Sequence, residues 1–109
     1  MNYRIKFLME ALGDMEKLDN SIRPQIMKGI QKVSTNPVSI HKGGYGKPLG
    51  NRDGTNLAHL YKIKFLSIGI RVIYALQEQE QLMTIIIVSV RADNQVYIEA
   101  NRRRDKHHI

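Results

Sequence analysis

The stretch Tyr61–Tyr74 constrains this chain more than any other. It reads Tyr-Lys-Ile-Lys-Phe-Leu, then Ser67-Ile68-Gly69, then Ile-Arg-Val-Ile-Tyr. Two runs in which apolar residues alternate with others, joined by a short turn ending in glycine, predict a β-hairpin. A loop of Ser67 and Ile68 sets Leu66 against Gly69, Phe65 against Ile70, Ile63 against Val72 and Tyr61 against Tyr74. The last three pairs share one face, because strand side chains alternate with a period of two. The other face then carries Lys62 opposite Ile73 and Lys64 directly opposite Arg71. Like charges facing each other across a ladder are destabilising, so a bound anion is a physical reason to keep them there. The plain alternative is a solvated basic face that serves solubility alone. The pairing depends on register, since a slip of one residue moves every side chain to the other face.

Charge along the chain points the same way. Residues 36–75 carry six basic side chains against the single acid Asp53, a net of +5 out of +7 for the whole chain. A concentration of this kind is the electrostatic footprint of a nucleic-acid partner. The same field would attract an acidic protein. With 109 residues and 42% apolar content the chain is expected to form one folded domain, residues 1–109. There is no cysteine, which removes disulfides, thiolate chemistry and cysteine-based zinc sites and suits a reducing compartment. Arg4, Lys6 and Glu10 leave no apolar leader near the N-terminus, and Leu82–Val90, interrupted by Thr84 and Ser89, is too short to span a membrane. A soluble, cytoplasmic protein without a membrane partner is the expectation.

Upstream of the hairpin, Asn2–Phe7 alternates as a half-buried strand. Leu8, Ala11, Leu12, Met15 and Leu18 recur at helical spacing, with Glu10, Asp14, Glu16 and Lys17 on the opposite face. Asp19-Asn20-Ser21 supplies a turn and an N-cap. Ile22, Ile26, Ile30 and Val33 mark a second helix, in which Pro24 is tolerable only within the first turn. Val38 to Ala58 holds five glycines and no periodicity, and reads as a long functional loop. Its Gly43-Gly44-Tyr45-Gly46-Lys47 is not a phosphate loop: His41 replaces the first glycine and Pro48 the hydroxyl residue. Downstream, Gln77–Gln81 is a polar turn, Met83–Val90 a strand apolar on both faces and therefore in the middle of a sheet, and residues 102–109 a frayed basic tail. The order β-α-α-β-β-β is that of an α+β domain, with a two-helix hairpin on one face of a mostly antiparallel sheet.

This order, together with Tyr61-Lys62-Ile63-Lys64, Gly69-Ile70-Arg71-Val72-Ile73-Tyr74 and Arg91 six residues before Tyr97, resembles the RelE toxins of bacterial toxin–antitoxin pairs. The likeness covers nearly the whole chain and is weakest over Val38–Ala58, where the loop is longer. The resemblance implies the RelE-like fold of microbial ribonuclease type, a cognate antitoxin as partner, and cleavage of messenger RNA in the ribosomal A site, without a cofactor. The two hairpin lysines of the family fall on Lys62 and Lys64, its hairpin arginine on Arg71, and its later arginine and tyrosine on Arg91 and Tyr97.

Metal-free RNA cleavage needs a base at the ribose 2′-OH, stabilisation of the leaving 5′-oxygen, and positive charge on the phosphoryl oxygens. Crowded cations disfavour the ammonium form, and because an arginine holds its proton the shift must fall on a lysine. Following the resemblance, Lys64 is the base, Arg71 the clamp on phosphoryl charge and Lys62 a second phosphate contact. Arg91 stabilises the leaving oxygen, and Tyr97 stacks on an unpaired base or, as a plain alternative, is a core tyrosine with a satisfied hydroxyl. His59 reads as a packing or edge histidine. His41, His107 and His108 have no partners at ligand spacing and imply no metal.

Two other readings stay open. One is a toxin of the same fold resembling the ParE group, which binds DNA gyrase; a pure binder has no need of facing cations. The other is a catalytically silent nucleic-acid-binding module.

Overall fold

The computed structural model describes residues 2–52, 55–90 and 94–109, apart from the side chains of 51, 52, 55 and 56. Its elements are β1 (Arg4–Phe7), α1 (Met9–Glu16), α2 (Arg23–Ser34), β2 (Lys47–Arg52), β3 (Thr55–Phe65), β4 (Ile70–Gln77), β5 (Leu82–Ser89) and α3 (Asn94–Lys106). The strands form one sheet in the order β1-β5-β4-β3-β2, antiparallel except for the parallel β1–β5 edge pair. This is the α+β class expected, and no described helix is long and apolar enough to cross a membrane.

The hairpin has the expected register. Phe65 pairs with Ile70, Lys64 with Arg71, Ile63 with Val72, Lys62 with Ile73 and Tyr61 with Tyr74. Its turn is longer than two residues: pairing ends at Phe65–Ile70, Leu66–Ile68 makes one 3₁₀ turn, and Gly69 at φ 66° closes it. Only glycine adopts that left-handed conformation without steric cost. Phe65 reaches the α2 face, where a side chain on Gly29 would collide with its ring. Tyr74 is fully buried, stacks on Tyr61 with ring centroids 5.3 Å apart, and donates its hydroxyl to Pro37 O at 2.8 Å. Burial holds its pKa well above the ordinary phenol value.

Met83–Val88 is buried throughout, as befits the strand between β1 and β4. Pro24 lies in the first turn of α2, whose N-cap is Ile22, with no side-chain hydrogen bond from the turn before it.

Two expectations are corrected. Val38–Ala58 is not structureless: it holds a short 3₁₀ turn, all of β2 and the start of β3. Gly46 fits there because a Cβ would lie 2.6 Å from Pro37 O and 2.7 Å from the Tyr74 hydroxyl. Pro48 is tolerated because β2 is the outermost strand, where a missing N–H costs no inner ladder bond. The second correction is the C-terminus. Residues 102–106 are not frayed but complete α3, which packs on β5 and β3.

The anchor of α3 is an ion pair the sequence hides. β1 stops at Phe7, so β5 beyond Ile85 has an unpaired edge. Asp14 Oδ2 accepts from Val88 N at 3.0 Å, and Arg103 donates from Nη1 to Ile86 O at 3.0 Å. The same Arg103 nitrogen lies 2.7 Å from Asp14 Oδ2, and both side chains are nearly enclosed. Together they satisfy backbone groups that a strand would otherwise satisfy. Burial works against the charge on Arg103, but Asp14 and Glu99 outweigh it and raise its pKa above the ordinary value. The hydrogen bond from Arg102 is the largest cause that holds Glu99 down at about 2; burial opposes it, and the hydrogen bond and charge of Arg103 add to it.

Candidate nucleic-acid interface and active site

Alternation along β3 and β4 sends Phe65, Ile63, Val72 and Tyr74 towards α2. It sends Lys62, Lys64, Arg71 and Ile73 to the opposite face. On that face Lys64 and Arg71 are cross-strand partners, whose Cβ atoms lie roughly 5 Å apart in an antiparallel pair. Lys64 is exposed, and Lys62 and Arg71 are half-buried. Among the described residues, no salt bridge includes Lys64 or Arg71. A depression of about 140 Å³ opens beside them, bounded also by Leu66 and Gly69 of the turn. The hairpin therefore presents an amine and a guanidinium side by side, and among the described residues no carboxylate pairs with either.

α3 covers the neighbouring part of this face, which is why Ile73, the partner of Lys62, is fully buried. Val96, Tyr97, Ala100 and Arg103 turn inwards at helical spacing. Tyr97 is only 4% exposed, so its ring offers no free face to a base. The stacking expected of it does not fit this position. Its hydroxyl oxygen instead accepts a 2.8 Å hydrogen bond from Arg71 Nη1. That bond fixes the guanidinium and leaves its other N–H groups to point elsewhere. Tyr97 thus touches the cationic pair through its hydroxyl and not through its ring.

The structure brings together Lys62, Lys64, Arg71 and Tyr97. Arg91 lies outside the described residues. His59 is exposed and has a φ of 65°, at an irregular point in the β2–β3 pairing; it lies on the inner strand β3, so it is neither the packing nor the edge histidine expected. His107 Nε2 lies 2.9 Å from Glu10 at the far end of α3. Lys106 binds the same carboxylate, and these contacts together with a backbone hydrogen bond, the largest cause, lower Glu10 to about 2. Sequence reasoning missed one cation on the site's face, Lys47. It is the register partner of Lys62 across β2–β3, and antiparallel partners project to the same side.

No model of a protein family matches the chain. Individual proteins do. The chain is similar to a RelE-like toxin protein of Escherichia coli, 31% identical over 103 residues, which are 94% of this chain and 98% of that one. It is 29% identical, with the same coverage, to the mRNA interferase toxin RelE of Escherichia coli strain K12. Among solved structures, a mutant of E. coli toxin RelE in the free state superposes with a TM-score of 0.73 at 27% identity, covering 94% of this chain and 98% of that one. The same toxin mutant in complex with an antitoxin RelBc peptide superposes at 0.67 and 27% identity, covering 92% and 95%.

Proposed function

The chain belongs to the RelE-like family of toxins from toxin–antitoxin systems, and from that premise we propose that it is a metal-independent endoribonuclease that cuts messenger RNA in the A site of the ribosome. The observation that carries this reading is the cross-strand Lys64–Arg71 pair, which no carboxylate among the described residues neutralises. A fold gains no stability from like charges held face to face, but a phosphodiester brought between them gains both. The mRNA interferase activity in the name of the E. coli relative supports the same chemistry.

In this mechanism Lys64 takes the proton of a ribose 2′-OH. The freed oxygen attacks the adjacent phosphorus, and the bond from phosphorus to the 5′-oxygen breaks. One fragment leaves with a 2′,3′-cyclic phosphate; the 5′-oxygen of the other takes a proton from water and becomes a 5′-hydroxyl. Arg71, oriented by Tyr97, binds the phosphoryl oxygens as their charge grows. Lys62 holds a second phosphate oxygen, and Arg91 stabilises the leaving oxygen. The cations supply the charge that a divalent metal supplies elsewhere, and would repel such an ion.

An antitoxin partner is part of the proposal, supported by the neighbouring toxin's complex with an antitoxin peptide. An acidic, partly disordered chain suits a surface of net charge +7. Primer extension on messages from cells expressing the protein tests the activity. Cuts inside translated codons are expected. Intact messages beside damaged DNA would contradict the nuclease and favour a gyrase-binding toxin.

A further inference from the structure

We propose that Lys47 on β2 is a further RNA-phosphate contact, continuing the cationic surface of β4 and β3 across to the edge of the sheet. This rests on the nuclease reading above. Lys47 faces Lys62 as Lys64 faces Arg71, so one sheet face holds two like-charge cross-strand pairs side by side. Lys47 is exposed, and among the described residues no salt bridge includes it. A lysine on an outer strand opposite another lysine adds like-charge repulsion, and among the described residues Lys47 has no carboxylate partner to offset it.

The geometry gives the charge a use. Adjacent strands lie about 4.8 Å apart, so the track from β4 to β2 is roughly 10 Å wide, broader than one phosphate group. Lys47 is also presented from a fixed support. Gly46 N donates to Val38 O at 2.9 Å, Ile40 N donates to Gly46 O at 2.8 Å, and Pro37 is held from the core by the Tyr74 hydroxyl. An ammonium on such a support loses less freedom on binding than one on a mobile loop. A phosphate contact of this kind adds affinity and direction to the RNA path, not base specificity.

The test is the salt dependence of binding to a 2′-O-methyl RNA oligonucleotide, which cannot be cut because its attacking hydroxyls are blocked. Each phosphate contact on a single strand contributes about 0.7 to the slope of log K against log salt, read between about 50 and 200 mM. Lys47→Gln should make the slope shallower by about that amount. Lys28→Gln, an exposed cation on α2, should leave it as in wild type. An unchanged slope in Lys47→Gln, or an equal loss in Lys28→Gln, would overturn the assignment while leaving the nuclease reading standing. A wild-type protein with no salt-dependent RNA binding would likewise overturn the Lys47 assignment, and would leave standing a nuclease that takes its message only in the ribosomal A site.

Discussion

Lys64→Ala and Arg71→Ala are each expected to slow message cleavage by about 10²- to 10⁴-fold, the range lost when a positioned base or a charge-stabilising donor is removed. The two variants differ in what else they disturb. Lys64 is exposed and faces a like charge, so its loss should leave the melting temperature unchanged or slightly raised. Arg71 donates to the buried Tyr97 hydroxyl, and its removal should cost about 1 kcal/mol for the lost hydrogen bond. Rates from single-turnover cleavage on programmed ribosomes, with melting curves on the same samples, separate chemistry from folding. Wild-type rates in both variants would remove Lys64 and Arg71 from the mechanism.

Arg103→Leu should have the largest effect on stability. It leaves the Asp14 carboxylate nearly enclosed and without its counter-ion, and it frees the backbone oxygen of Ile86. Breaking one side of a buried ion pair costs about 3–5 kcal/mol. In a domain of this size that is a fall of roughly 10–20 °C in melting temperature. The effect should reach function, since α3 also carries Tyr97, whose hydroxyl orients Arg71. Chemical denaturation of the variant gives the number. A loss below about 1 kcal/mol, typical of an exposed pair, would mean that the pair does not hold α3 to the sheet.

The hairpin was legible because its alternation runs unbroken from Tyr61 to Phe65 and from Ile70 to Tyr74 with Ile73 as the one exception, and Gly69 stands where the turn needs a positive φ. The apolar stripe of α2 and the two-sided apolar run of β5 were legible for the same reason: their periods are long enough to exclude the alternatives. β2 was not, because Pro48 and Gly50 interrupt any alternation between Lys47 and Arg52. Its place in the sheet comes from pairing with β3, a non-local contact. Lys47 was missed along with it.

α3 was hidden by composition. Arg102, Arg103 and Arg104 look like a solvated tail, and Asp14 like an exposed position on α1. The spacing did carry a signal. Glu99 stands three and four residues before Arg102 and Arg103, the separation of helical ion pairs, and Val96, Tyr97 and Ala100 precede them at helical intervals. Burial of an arginine follows only from a carboxylate distant in sequence, which no local pattern reveals. The same tertiary packing decides Tyr97, whose residue type suits stacking on RNA but whose ring the fold encloses.

The central claim, that Lys64 and Arg71 assist attack by a ribose hydroxyl on its own phosphate, is tested most directly by changing that hydroxyl. Purified protein is added to ribosomes carrying a message with a single 2′-deoxynucleotide in the codon at the A site. Cleavage at that position should vanish, while an all-ribose message is cut there to give a 2′,3′-cyclic phosphate. Continued cutting at the 2′-deoxy position, or a product ending in a free 3′-hydroxyl, would contradict it.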